Sequence, residues 1–221
     1  MNRYDGYELN IFHHSPKDSN SLSNGNINSL FEDHEGDLWI GTDCGLNCYN
    51  QVTGLFKRYT FHTGDVNNQN INEINGIVQD VEGILWVGSM GEGITGLNKI
   101  TGVYHHYRNN FSDRSNNVNA LLADKLDDRY LWIGTSDGLI RFNIPLKSFE
   151  KMTGGDLKEG VSVQSIAQDV NGNLYLGTWG SGLIKLDRRN NKFSFFSTRN
   201  SDADNFRNSI IQTMAVQDKY H

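Results

Sequence analysis

Short runs of alternating apolar and polar residues fill most of the chain, and one such run occurs four times: Leu38-Trp39-Ile40-Gly41-Thr42, Leu85-Trp86-Val87-Gly88-Ser89, Leu131-Trp132-Ile133-Gly134-Thr135 and Leu174-Tyr175-Leu176-Gly177-Thr178. The steps between the aromatic residues are 47, 46 and 43. A period in the forties built from strand formers marks β-propeller blades, whereas helical repeats of that length would space their apolar residues by 3.6. The pattern predicts an all-β chain of four-stranded blades.

Each unit opens with two apolar residues three apart and then an aspartate: Ile27, Leu30 and Asp33; Ile74, Ile77 and Asp80; Val118, Leu121 and Asp124; Val163, Ile166 and Asp169. This is the expected first strand of a blade. Three of the aspartates continue as Asp-x-x-Gly, to Gly36, Gly83 and Gly172. A turn-prone acid followed by a residue free to take positive φ predicts a hairpin into the second strand. The third unit has a longer turn, Asp124 to Tyr130. A third strand starts at Gly45, Gly93, Gly138 and Gly182, and an outer strand carries Phe56 and Tyr59, Tyr104 and Tyr107, Phe149 and Met152, Phe193 and Phe196. Residues three apart face opposite sides of a regular strand, so either a bulge separates them or one side chain faces solvent. No blade buries its own faces alone, so Trp39, Trp86 and Trp132 are expected to be structural. Burial of roughly 150–250 Å² would make each worth about 4 kcal/mol.

The ends fit the same template. Asn2 to Asp5 match the end of a third strand, Tyr7 to His14 an outer strand, and Ile211 to Asp218 a first strand. The expected organisation is one propeller segment over 1–221. It comprises a partial blade at 1–20, blades at about 21–62, 63–110, 111–155 and 156–200, and the start of another at 201–221. A segment of a longer propeller is preferred to a five-bladed closure, which would leave the fifth blade without a second strand and its neighbours' backbone groups unpaired.

Composition narrows the function classes. Lys plus Arg number 20 against 26 Asp plus Glu, a net charge of -6, the wrong sign for a nucleic-acid surface. No run of ~18 apolar residues and no basic-then-apolar leader is present, which predicts neither a membrane-spanning helix nor a secretion signal. Cys44 and Cys48 on one strand would sit about 13 Å apart, beyond the ~7 Å reach of a disulfide. Twenty-three Gly and 27 Asn against two Pro favour strands punctuated by tight turns.

With Asp-x-x-Gly-x-Leu-Trp-Ile-Gly-Thr, then Gly-Leu, then an apolar residue and Asn or Asp, the units resemble the two-component regulator propeller repeat. Asn2-Arg3-Tyr4-Asp5-Gly6 and the linker Ser21-Leu22-Ser23-Asn24 are similar to that family too. The resemblance implies the sensor region of bacterial hybrid two-component regulators, where such repeats form seven-bladed propellers on the periplasmic side. It also implies carbohydrate fragments as ligands, and as partners the remaining blades and the downstream sensor domains of a parent chain. A histidine kinase belongs to such parents and has no counterpart here. Tyr175 in place of Trp departs from the pattern.

Several motifs have a structural explanation. Gly91-Glu92-Gly93-Ile94-Thr95-Gly96 satisfies the dinucleotide fingerprint, but that fingerprint needs a following helix and here a strand is expected. The pairs His13-His14 and His105-His106 are placed in outer strands, pointing to opposite faces, as surface residues. The aspartates recur once per blade and are therefore turn-forming, since catalysis needs a single converging set. No catalytic residue, metal site or cofactor is expected.

What escapes the repeat is the candidate binding surface. The loops from second to third strand and from outer strand to the next first strand share the end of a propeller that commonly binds ligands. Trp179, beside Gly180, offers a face on which a sugar can stack, and Asp43, Met90, Glu92 and Asp137 occupy the equivalent loops. The carboxylates could accept hydroxyl hydrogen bonds. Arg108, Arg114 and Arg199 in the inter-blade loops could meet acidic sugars. The alternative is that Trp179 packs on a neighbouring blade and the acids are solvated. The functional expectation is a non-catalytic, carbohydrate-sensing module. Its rival is a protein-interaction or architectural propeller, and an enzyme on a propeller scaffold is a third reading.

Overall fold

In the computed structural model of the protein the described residues are 1–4, 6–62, 72–196 and 209–215. Arg199 and Asp218 lie outside them. Four four-stranded sheets form where the repeat places them. Blade one holds β3 (Ile27–Glu32), β4 (Leu38–Thr42), β5 (Gly45–Tyr49) and β6 (Phe56–Tyr59), and blade two β7 (Ile74–Gln79), β8 (Ile84–Ser89), β9 (Gly93–Asn98) and β10 (Tyr104–Tyr107). Blade three holds β11 (Val118–Ala123), β12 (Tyr130–Thr135), β13 (Gly138–Asn143) and β14 (Ser148–Met152). Blade four holds β15 (Val163–Gln168), β16 (Leu174–Thr178), β17 (Leu183–Asp187) and β18 (Lys192–Phe195). A hairpin of β1 (Asn2–Tyr4) and β2 (Leu9–Ile11) precedes them. The chain divides into two compact units, Met1–His106 and Tyr107–His221.

The aspartate turn and the aromatic phrase form one device. Asp33 Oδ1 accepts from the backbone N–H of Glu35 (3.1 Å) and Asp37 (2.9 Å), while its Oδ2 accepts from the Trp39 indole at 2.8 Å. Asp80 does the same for Glu82, Ile84 and Trp86. In blade four Asp169 receives the Tyr175 hydroxyl at 3.3 Å. The longer third turn still puts Asp124 Oδ2 3.0 Å from the Trp132 indole. All three indoles are buried, so each ring fills a core site while its one polar atom is satisfied, the condition for burying Trp without penalty.

The glycine of the phrase is a close-approach site. A Cβ on Gly41 would lie 2.6 Å from the carbonyl oxygen of Ile74, and on Gly177 2.7 Å from that of Ile211. Blade one is thus packed against the first strand of blade two, and residues 209–215 occupy the same place on blade four. Ser165 Oγ faces Ile211 O as Ser29 Oγ faces Ile74 O.

Two locks tie successive blades within each unit. In the first, Lys99 bonds Asp33 at 2.5 Å and also Glu35, while Gln79 Oε1 accepts from His34 N at 2.8 Å. In the second, Arg188 bonds Asp124, while Gln168 accepts from Lys125 N and donates to Asp124 Oδ1. Blade three holds Ala123 and Ile144 at the positions of the Gln and the cation.

Three expectations are refined. In blade one the outer-strand side chains three apart are both packed, without a bulge in β6: Phe56 lies against Tyr49 and Phe12, and Tyr59 against Trp39; in blade four Phe193 is buried and Phe196 exposed. His13 and His14 are not in an outer strand, because β2 stops at Ile11, and His14 Nδ1 instead meets Leu22 O at 2.7 Å. His106 is not a surface residue. It is half-buried beside Phe61 and Tyr104, with Nδ1 2.6 Å from Thr95 Oγ1, and burial pushes its pKa below the usual imidazole range.

Trp132→Ala should therefore cost roughly 3–5 kcal/mol in urea unfolding, because it empties a core site and leaves the Asp124 carboxylate without its indole donor. Trp179→Ala, at an exposed position, should cost less than about 1 kcal/mol; equal losses would contradict this division.

Candidate functional site

The loops entering each first strand and the loops joining second to third strands do lie at one end of each blade. Trp179 N donates to Ser162 O at 2.9 Å, Ser136 N to Asn117 O at 3.1 Å and Met90 N to Glu73 O at 3.2 Å. This end carries a feature the sequence reasoning missed. In all four blades the pairing of first and second strands shifts register after the first residue. The skipped residues are Asn28, Asn75, Asn119 and Gln164, a carboxamide every time. Bulges re-aim side chains at strand ends, and the visible signal was an amide directly after the first apolar residue of every unit.

In the first unit these amides meet acids. Asp43 accepts from Asn26 Nδ2 at 2.7 Å and from Asn28 Nδ2 at 3.0 Å. Burial, with the Asp43 charge nearby, raises the Glu73 carboxyl against the opposing bond from Asn75. Met90 is exposed on the adjacent loop, whereas Glu92 is buried.

In the second unit a capped 3-10 turn over Asp113–Asn116 shapes the linker into blade three. Asn116 clamps both backbone groups of Asn109, as Asn72 clamps those of Phe61 in the first unit. Arg114 reaches Ser136 O at 2.9 Å, and Arg108 is exposed. Asp137 is committed internally: Ser112 Oγ donates to it at 2.6 Å, Lys151 Nζ at 2.8 Å and Gly160 N at 3.2 Å. Burial would raise its pKa, but these donors and the Lys151 charge outweigh it and hold the carboxyl below the ordinary range.

Trp179 stands apart, 55% exposed, in a loop with Gly180 and Gly182 at φ 85° and 69°. Beside it, Ser162 Oγ accepts from Gln164 Nε2 at 2.8 Å and from Asn119 Nδ2 at 3.4 Å. The structure thus places Asp43, Met90 and Glu92 in one unit and Arg108, Arg114, Asp137 and Trp179 in the other. It presents an aromatic face next to hydroxyl and amide groups in the second.

Among the described residues no group of three or more His, Cys, Asp or Glu could hold a metal ion, and no helix is long and apolar enough to cross a membrane. Burial pushes the Cys48 thiol up to about 11, which leaves it a poor nucleophile at neutral pH.

The sheets and their connections define a β-propeller of four-stranded blades. Residues 21–44 and 157–180 match the family model of the two component regulator propeller. Both matched segments run from a linker through the aspartate turn to the loop after the second strand. Among solved structures, the extracellular domain of a hybrid two component system from B. thetaiotaomicron shares 24% identity at a TM-score of 0.71, over 91% of this chain and 28% of that one. The extracellular domain of a one component system from the same organism shares 21% at 0.69, over 95% and 26%. Virginiamycin B lyase from Staphylococcus aureus shares 14% at 0.62, over 80% and 57%. The chain spans little more than a quarter of the length of the first two. No curated protein matches its sequence.

Asp137→Asn should lower stability at neutral pH by about 1–3 kcal/mol. A depressed carboxyl contributes stability above its unfolded pKa and loses it as pH falls through the folded value. The gap between variant and wild type should therefore close below the ordinary carboxylate range, as read by urea melts across pH. A gap that is constant with pH would refute a charge-based role.

Proposed function

We propose that the chain is the ligand-sensing propeller segment of an extracytoplasmic two-component sensor, and that the loop end of its second unit receives a carbohydrate fragment. The observation that carries the reading is Trp179: an exposed indole flanked by glycine, beside the Ser162 hydroxyl and the Gln164 and Asn119 carboxamides. A sugar ring offers an apolar face of C–H groups and a rim of hydroxyls. An exposed aromatic plane with adjacent amides, each both donor and acceptor, matches those two surfaces. Arg108 and Arg114 of the same unit are further contacts for a larger or acidic ligand. The buried Glu92 and the internally bonded Asp137 would act by holding loops in place.

An extracytoplasmic setting is supported by the extracellular origin of the two B. thetaiotaomicron neighbours. The chain would supply recognition, and its partners would be the further blades and signalling domains of a parent protein. The lyase neighbour shares the fold at 14% identity, and no catalytic set recurs here among the described residues.

Trp179 is the one exposed indole of the four, so ligand stacking should perturb tryptophan fluorescence through it. A panel of neutral and acidic oligosaccharides, followed by fluorescence and calorimetry, should find a binder, and Trp179→Ala should weaken it about tenfold or more, roughly 1.4 kcal/mol. A panel without binders, or a binder indifferent to Trp179→Ala, would remove this assignment.

A further inference from the structure

Three Asn-Gly pairs occur in the chain: Asn24-Gly25, Asn75-Gly76 and Asn171-Gly172. At such a pair the backbone nitrogen of the glycine has no side chain to shield it, and it is the nucleophile nearest the amide carbon of the asparagine. Reaction between the two depends on what already holds that nitrogen and that amide, and the fold treats the three pairs differently. Two of them are locked. Gly172 N donates to Asp169 O at 2.9 Å inside the aspartate turn of blade four, and Asn171 N donates to Asp169 Oδ1 at 2.9 Å. Gly76 is buried in β7 and paired with Gly88 of β8. In either pair the glycine nitrogen reaches the neighbouring amide only after the turn or the ladder has opened.

The first pair has the opposite arrangement. It lies in the linker into blade one, at the loop end of the first unit, with Gly25 exposed. Among the described residues the Gly25 N–H donates to no backbone acceptor. Asn24 Oδ1 accepts from Asn26 N at 2.7 Å, an Asx-turn that folds the side chain back along its own backbone. The ring closed by that bond contains both Asn24 Cγ and Gly25 N, so electrophile and nucleophile are held together on one short loop. The Asn26 N–H is also aimed at the oxygen on which negative charge builds when Cγ is attacked, the role of a donor in an oxyanion hole. Asn24 Nδ2, the nitrogen that would leave, meets only the exposed Cys44 sulfur, at 3.3 Å.

The geometry points to Asn24 as a site of spontaneous deamidation, which the folded chain promotes at this pair and suppresses at the other two. Gly25 N gives its proton to water or hydroxide and forms a bond to Asn24 Cγ. The bond from Cγ to Nδ2 then breaks, and Nδ2 leaves as ammonia after taking a proton from water. Water opens the resulting cyclic imide at either carbonyl, which leaves an aspartyl or isoaspartyl residue at position 24. The product carries a carboxylate where an amide stood, at a loop end where Asp43 already draws on Asn26 and Asn28. The negative charge of that loop end therefore grows as the protein ages.

The test incubates the folded protein, and the same chain unfolded in guanidinium chloride, in mildly alkaline water enriched in heavy oxygen. Mass spectrometry of the three Asn-Gly peptides then follows uptake of the label. In the unfolded chain the three pairs should react at comparable rates. In the folded protein Asn24 should react at least as fast as it does unfolded. Asn75 and Asn171 should each slow by about tenfold or more, since a backbone hydrogen bond must break first. Gly25→Ala should suppress labelling at position 24; a Cβ there meets nothing within 4 Å, and circular dichroism establishes that the variant folds. A folded protein whose Asn24 reacts as slowly as Asn75 and Asn171 would overturn the inference. So would relative rates identical in the folded and unfolded chains, or labelling at position 24 that is indifferent to Gly25→Ala.

Discussion

A carboxylate out of contact with water is stable only when its oxygens are filled by donors, and a buried indole only when its N–H finds an acceptor. In each of the first three blades one aspartate meets both demands. One oxygen takes backbone N–H groups of the turn, and the other takes the indole six or eight residues later. The turn cannot open without stranding the ring, and the ring cannot leave its core site without stranding the acid. Lys99 on Asp33 and Arg188 on Asp124 then carry the same carboxylates into the contact with the following blade. Local turn chemistry, blade core and blade-to-blade packing thus share one group.

That economy explains why the fold was so legible. A repeated Asp and an aromatic six or eight residues on are required by a bond that recurs in every blade, and the glycine two residues later by the close approach at Gly41, Gly134 and Gly177, so the period was visible without knowing the contacts. The aspartate and the tryptophan were recognised separately, one as a turn former and one as core. What linear spacing could not supply was their mutual bond, because a six-residue separation across a hairpin carries no direction for the side chains. The third turn is two residues longer and reaches the same bond, which shows that the demand lies with the pair and not with the turn length.

The loop end was legible only in part, for a related reason. Trp179 was visible as an aromatic outside the repeated position, and it is indeed solvent-facing. Glu92 and Asp137 looked equivalent to Asp43 by position, yet one is buried and one is bonded to two linkers. The residues that define each linker, Asn72, Ser112 and Asn116, lie outside the repeated phrase. Conversely, the carboxamides at Asn28, Asn75, Asn119 and Gln164 do repeat, and repetition argued against function. A bulge reverses that inference. The extra residue is excluded from the ladder, so its side chain is not consumed by sheet packing and is turned toward the strand end.

Function on such a scaffold is confined to what packing leaves over. The close approach of the next blade's first strand to Gly41 and Gly134 and the locks at Asp33 and Asp124 hold adjacent blades of each unit together. Blade four shows the two roles of the aromatic side by side. Tyr175 takes the repeated aromatic position with a smaller, half-buried ring and a longer bond to its aspartate, while the tryptophan four residues later faces water. The pairing of a reduced core aromatic with an exposed one at the same blade is the physical reason to look for recognition there.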